Sequence, residues 1–474
     1  MSTTSAPRPQ AVAIPRELFR DALLRFGSCP LFGNTEEWLM EDNPYRRPVR
    51  PQVLRYMDFE QVLGRADILT YSSLAANRLL LNVYESDLVL LPAHGLGMKE
   101  DDFRLFYAPE IRVHAEMIRP TLERHVFGFL GTEIDVSGTW TKDALAAYFT
   151  TLFDTVRSSD ELPLVRALRG SSNPRHAALT LLIQLAGDFL SEASAMTRNV
   201  LGKFDQAQSE LFKIVIDELG YGVHRAKHST MFERTMSSVG LEPEIHTYWQ
   251  FYLTSSLLLN NYFHFLCKDH AQLFRYLGAL FYVETMFRKI CRDIGDCLAQ
   301  TFGGQADIEY FREHAHIDKH HGEMVLHKVL LPLIDRHGTG IIPDMVRGFE
   351  EAKLVGEIAD EDFAAQVAWS DNEQAYKALH DRVYANVLAA GERPPVQQFV
   401  EPRGELSVTH VHDGDELCHI VSGVMRFVTG HERSVLLHAG EGTVIERRRL
   451  HGAIIESEEC VYDIHSIGDR HRWL

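Results

Sequence analysis

The chain has 474 residues, too many for one ordinary core, so two or three domains are expected. An apolar share of 45% with 24% charged residues belongs to a globular protein and excludes a disordered one. With 48 basic against 66 acidic side chains the net charge is −18, which argues against a phosphate-neutralising surface and is compatible with a cationic small molecule.

The first residues, MSTTSAPRPQAVAIPREL, form no apolar leader, and no later run is long enough to cross a bilayer. A cytoplasmic protein with neither membrane nor nucleic-acid partners is the expectation. Cys29, Cys267, Cys291, Cys297, Cys418 and Cys460 make no CxxC pair and read as reduced, buried thiols. The 24 histidines are the anomaly, because several cluster within Glu313–His327 and Thr409–His451 at metal-ligand spacing.

Residues 1–137 mix short helical stretches with apolar runs such as Leu88–Leu91 and contain no chemical motif. Over 138–390 the pattern turns helical, with period-3.6 apolar faces at 142–157, 175–203, 206–236, 245–266, 270–301, 306–335 and 343–390. Turn signals at Gly170–Pro174, Gly240–Pro243 and Gly303–Gly304 separate them, which predicts a bundle of about seven helices. Gly391–Pro395 is a joint. The third region, 391–474, changes to short β-branched runs at Ser407–His412, Glu416–Val421, Val424–Thr429, Ser434–Leu437, Thr443–Ile445, Ala453–Glu456 and Val461–Ile467, the pattern of a small β-barrel. The fold class is therefore multidomain α+β.

In the helical region, His314, Asp318 and His321 stand at i, i+4 and i+7, within about 40° of one line on a helix. Phe311 and Val325 extend the same stripe, so it faces inward. A buried carboxylate between two imidazoles is costly unless a cation compensates it. Glu192 continues the face of Leu182, Leu185 and Phe189, and Glu284 that of Leu277, Phe281, Phe287 and Cys291; each stands where a core residue is expected. The 206–236 stretch offers two pairs. Asp217 and His224 share a face, whereas Glu218 and His228 lie about 80° apart on a regular helix. A bend or a π-bulge at Gly220, Tyr221 and Gly222 would realign the second pair.

In the third region, Gly404, His410, His412, Glu416 and Gly423 fit G-x5-H-x-H-x3-E-x6-G, the first motif of the cupins. His410 and His412 share a strand face because side chains alternate with period two. Gly440 and His451 keep the spacing of the second cupin motif, with Glu446, Arg448 and Ile455 where that motif has Pro, Gly and Asn. Three imidazoles with open positions suit Fe(II). By motif Glu416 is a fourth ligand. Tyr462, on a late strand, reads equally as a hydrogen-bond partner near this metal and as a core tyrosine.

HxxxDxxH on one helix, with single acids on separate helices, resembles the heme-oxygenase-like diiron oxidases. That resemblance implies a seven-helix bundle holding two irons through Glu192, Glu218, His228, Glu284, His314, Asp318 and His321. His224, His316, His320 and His327 then lie outside the ligand set or face solvent. Joined to a C-terminal cupin, the whole chain resembles the N-nitrosourea-forming nonheme iron enzymes of streptozotocin biosynthesis. The resemblance implies a third Fe(II) on His410, His412 and His451 with Glu416 outside the ligand set, O₂ as co-substrate and an external electron donor for the diiron site. It also implies an N-terminal segment that mediates a homodimer. The substrate implied is Nω-methyl-L-arginine, hydroxylated twice on its guanidine and then rearranged to Nδ-hydroxy-Nω′-methyl-Nω′-nitroso-citrulline. Two rivals compete: a diiron N-oxygenase of another amine with a structural cupin, and a small-molecule sensor.

Overall fold

In a computed structural model of the chain, residues 14–33, 43–158, 160–390 and 396–468 are described. The first thirteen residues, read above as lacking a leader, and the joint Gly391–Pro395 lie outside them.

The amino-terminal segment is helical, dominated by Arg16–Gly27, Tyr71–Glu85 and Pro109–Phe127. Tyr71–Glu85 is buried on every side from Ser73 onward, so it is a core helix and not an amphipathic cover. It lies against the helix Thr254–Lys268, where Asn261 Nδ2 donates to Asn77 O and Oδ1 at 2.8 and 3.0 Å. One apolar core runs from Phe19 through the central helices to Leu450. The segment thus shares the bundle's core instead of closing its own.

Local signals set the central helices. Thr141 Oγ1 accepts from Ala144 N at 3.1 Å to start Lys142–Arg157. Asn173 Oδ1 accepts from His176 N at 3.2 Å to start Pro174–Phe189, with proline in the first turn. Leu273–Phe302 and Ile342–Asp371 cross at backbone contact. A Cβ on Gly278 would fall 1.8 Å from Met345 O, and one on Gly348 would fall 1.7 Å from Arg275 O. Glycine at both positions lets the helices meet this closely.

Three stretches predicted as continuous are broken, 343–390 among them, which divides at Asn372 into Ile342–Asp371 and Glu373–Ala389. The 175–203 stretch ends at Phe189 and turns through Ala193, whose φ is 66°. The 206–236 stretch divides into Gln206–Glu218 and His228–Ser238, with Tyr221 at φ 52° between them. A Cβ on Gly220 would sit 2.4 Å from the Ala226 carbonyl carbon, so the chain doubles back there only because that residue is glycine. Glu309–Met324 runs on into a π-helical turn, Val325–Leu330.

The C-terminal strands are β1 (Val396–Pro402), β2 (Leu406–His410), β3 (Asp415–Ser422), β4 (Val424–Gly430), β5 (Arg433–His438), β6 (Gly442–Ile445), β7 (His451–Ile455) and β8 (Glu459–Gly468). They form two antiparallel sheets, ordered β1-β8-β3-β6 and β2-β7-β4-β5. Between them pack Cys418, Ile420, Phe427 and Leu437, closed by Trp369 from the helix Ile342–Asp371. The next helix, Glu373–Ala389, lays Val383 and Val387 on Leu417, Val444 and Ile467. The barrel is thereby built onto the bundle.

Candidate metal centres

Four helices and a turn bring the acids and imidazoles of the bundle together. Glu192 stands in the turn after Phe189, Glu218 at the end of its helix, His228 at the start of the next, Glu284 mid-way along Leu273–Phe302, and His314, Asp318 and His321 on Glu309–Met324. Glu192, Glu218, His228 and His314 offer ligand atoms within 4.8 Å of one another, and so do Glu218, Glu284 and His321. Glu218 belongs to both groups. Its Oε2 lies 2.5 Å from His228 Nδ1 and 3.6 Å from His314 Nε2, while its Oε1 faces His321 Nδ1 at 3.9 Å. One oxygen turned to each group is what a bridging carboxylate requires.

The remaining contacts orient the rings. His314 Nδ1 donates to Tyr310 O at 3.0 Å, which leaves Nε2 facing Glu192 Oε1 at 3.3 Å. Tyr310 donates its hydroxyl to that same Oε1 at 2.7 Å. His321 lies between Glu284 Oε2, 3.1 Å from Nδ1, and Asp217 Oδ2, 3.0 Å from Nε2. Asp318 is 2% exposed, and neither of its oxygens has a hydrogen-bond partner; its nearest imidazole nitrogen is His321 Nδ1 at 3.5 Å.

Burial opposes charge on His314 and His321, yet the surrounding carboxylates outweigh it. Glu192 and Glu218 hold His314 well above the ordinary imidazole range, and Glu284 with Asp318 pushes His321 up to about 12. Protons on these rings compensate the buried acids in place of a cation. Divalent iron would displace them, and would give the Asp318 carboxylate the close partner that no hydrogen bond supplies. The donor set of imidazoles and carboxylates with a shared acid fits two irons.

Between the two pairs left open for 206–236, the fold brings Glu218 and His228 into the cluster. It does so by breaking the helix, not by a bulge within it. Asp217 also arrives, against His321, but His224 stays exposed beside Thr230. His316, His320 and His327 are exposed as well. Glu192 reaches the cluster from a turn where a helical face was expected, because the chain leaves the helix after Phe189. Tyr310 was missed, though its position one turn before His314 on the same stripe was a readable signal.

A cavity of about 670 Å³ opens onto Glu192, Glu218, Glu284 and His314. Asp188 and Asp360 also line it. Burial raises both carboxyls to about 7, helped by Glu192 at Asp188 and by Glu357 and Glu361 at Asp360. Such a wall favours a cation.

In the barrel, His410 and His451 are directly paired across β2 and β7, and His412 follows two residues beyond β2's paired end. The three offer nitrogens within 4.8 Å of one another. His410 Nδ1 donates to Val408 O and His451 Nδ1 to Arg449 O, both at 2.8 Å, which leaves each Nε2 free. Burial is the main reason all three rings stay neutral, with His410 well below its ordinary range, His412 lowered to about 2 and His451 to about 4. Neutral imidazole is the form that ligates a metal. Glu416 lies 3.2 Å from His412 Nε2 and is not in the group of three. Arg448, in the place of the motif glycine, keeps the left-handed backbone at φ 64° and donates its N–H to His412 O at 2.8 Å. Tyr462 points elsewhere: its hydroxyl donates to Glu401 Oε2 at 2.9 Å and its ring stacks on Phe399.

The family described as iron-containing redox enzyme matches residues 179–356, which include the seven helical residues named above. The chain is 54% identical to the nitrosourea synthase of Streptomyces achromogenes subsp. streptozoticus over 465 residues, covering 97% of this chain and 98% of that one. Among solved structures, a domain of unknown function with a heme oxygenase-like fold from Shewanella denitrificans OS217 overlaps 49% of this chain and 95% of that chain, at 15% identity and a TM-score of 0.37. An overlap that loose carries no argument.

Proposed function

The chain belongs to the nitrosourea synthase family of iron-containing redox enzymes, and from that premise we propose that it builds an N-nitrosourea from Nω-methyl-L-arginine in two stages, one at each centre. In the first stage two guanidine nitrogens, Nδ and Nω′, become N-hydroxylated at the helical centre. Each hydroxylation consumes one O₂ and two electrons from an external donor, places one oxygen atom on nitrogen and releases the other as water. In the second stage the bond from the guanidine carbon to the hydroxylated Nω′ breaks and an N–N bond forms to the methyl-bearing nitrogen at the three-histidine centre, giving an Nδ-hydroxy-citrulline whose methyl-bearing nitrogen carries the nitroso group. One further O₂ suffices there. The hydroxylated substrate supplies its four electrons, and one oxygen atom enters the product while the other leaves as water.

The observation that carries this reading is two donor clusters of different composition in one chain. One is rich in carboxylates and shares Glu218; the other is three neutral imidazoles. Iron, where bound, supplies O₂ activation at both. The protein's own task at the first is to hold a guanidinium, and the acids Asp188, Glu192 and Asp360 along the cavity suit that cation. Near the second, Glu416 stands within reach of His412 and can take up a proton there.

Mass spectrometry of aerobic incubations with arginine and its N-methyl derivatives tests the reading. A hydroxylated intermediate should accumulate with His451→Ala, and no oxidised species should form with His314→Ala. Full nitrosated product from a His410→Ala/His412→Ala double variant would overturn the two-stage assignment.

A further inference from the structure

The three-histidine centre has a neighbour that belongs neither to its motifs nor to its barrel. Arg50 arrives from the amino-terminal segment on a pinned stretch of backbone: Val49 N donates to Phe32 O, and Pro48 O accepts from Trp249 Nε1, both at 3.0 Å. Arg50 itself is left-handed, at φ 52°, a conformation that a residue with a long side chain adopts only when its surroundings impose it. Its guanidinium carbon sits 5.6 Å over the Tyr71 ring, and the Tyr71 ring meets that of His410 edge-on at 6.4 Å. Tyr71 N in turn donates to Asp413 Oδ1 at 2.9 Å, tying the helix start to the residue after His412.

A second arginine stands close by. Arg78 is 2% exposed and donates to Thr409 O at 2.9 Å and Thr409 Oγ1 at 3.0 Å, one residue before His410. The Nε atoms of both Arg50 and Arg78 are buried without an acceptor, and among the described residues no carboxylate pairs with either guanidinium. Of the acids around the three histidines, Asp413 is engaged with Tyr71 N and Glu416 lies beside His412.

A divalent cation on these histidines would therefore stand near two poorly solvated arginines that no described carboxylate neutralises. Like charges so placed repel strongly, and an anion between them removes the conflict. We propose that Arg50 is a positioning residue that holds an anionic oxygen of the substrate beside the three-histidine centre, that oxygen being the α-carboxylate or a deprotonated N-hydroxyl group of an amino-acid derivative. The amino-terminal segment thus completes the barrel's site. The proposal rests on reading the three histidines as a metal centre.

Wild type, Arg50→Gln and Arg50→Lys are compared as full chains loaded anaerobically with Fe(II). Metal affinity is measured by competition with a chromophoric chelator. Ligand affinity is measured by calorimetry with two probes, L-citrulline (a carboxylate with no N-hydroxyl) and N-hydroxyguanidine (the converse), with the His410→Ala/His412→Ala variant as the blank. Arg50→Gln should keep the metal, or hold it more tightly, while losing roughly tenfold or more in affinity for one probe. Arg50→Lys should recover part of that loss, and the probe affected identifies the oxygen. A purely structural arginine would weaken metal and probe together. That result, unchanged probe binding in Arg50→Gln, or no probe binding by metal-loaded wild type would each overturn the proposal. A wild type whose three-histidine centre takes up no iron would instead sink the metal reading beneath it.

Discussion

Asp318 is 2% exposed with both carboxylate oxygens unpaired, while Phe311 and Tyr310 pack around the same helix. An acid so placed destabilises the metal-free protein, since its lost hydration is not repaid by hydrogen bonds. Asp318→Asn should therefore raise the stability of metal-free protein by about 1–2 kcal/mol and lower its iron content at the helical centre. Thermal melts and metal analysis check the two arms, and a variant that loses both stability and iron would show Asp318 to be a structural acid. Residues of this kind were legible because a carboxylate on an apolar stripe contradicts its surroundings. His410, His412 and His451 were legible for a different reason, since strand alternation and motif spacing are local. Arg50 and Arg78 were not. Arg78 meets Thr409 across 331 residues of chain, and no local pattern records such a contact.

At the scale of elements, periodicity located the central helices but not their interruptions. The break after Glu218 depends on Gly220 fitting against Ala226, a tertiary contact, and the left-handed Ala193 has no glycine or proline to announce it. Strand β1 went unseen because its side chains are largely exposed, so its run VQQFVEP lacks the alternation of a half-buried strand. One helix carries a further consequence. On Ile342–Asp371, Lys353, Glu357, Asp360 and Glu361 line the cavity, and Tyr282 of Leu273–Phe302 faces them. Burial, then Glu357 and Glu361, raise the Asp360 carboxyl from 3.8 to about 7. A raised acid binds its proton more tightly in the folded state, so wild-type stability falls as pH climbs from about 4 through 7. Asp360→Asn should be more stable than wild type at pH 8, by about 1–2 kcal/mol after allowing for solvent screening, and should show no gain near pH 4. A cationic substrate favours the ionised carboxylate, so wild-type KM should fall as pH rises through 7, and the Asn variant should flatten that trend. An equal stability offset at both pH values would refute the assignment.

At the scale of the whole molecule, the barrel's three-histidine cluster is held in register by the bundle. Gln366, 4% exposed on Ile342–Asp371, donates through Nε2 to Leu450 O at 2.9 Å and Thr429 O at 3.2 Å, and accepts from Leu450 N at 2.9 Å. Leu450 immediately precedes His451. Beside it, Arg449 pairs with Asp362 at 3.0 Å while its carbonyl accepts from His451 Nδ1. The backbone that aims His451 is thus fixed by side chains of the helix whose Asp360 lines the other centre's cavity. Gln366→Ala strands three buried backbone groups and should cost about 2–4 kcal/mol. Because orientation of a ligating ring governs affinity, the three-histidine centre should weaken toward iron by roughly tenfold, while the helical centre keeps its iron. Chelator competition on full-length protein, with His410→Ala/His412→Ala isolating the helical contribution, separates the two. If both centres lost iron in parallel, Gln366 would be a fold-wide support, and the bundle's hold on the barrel would carry no specific control over His451.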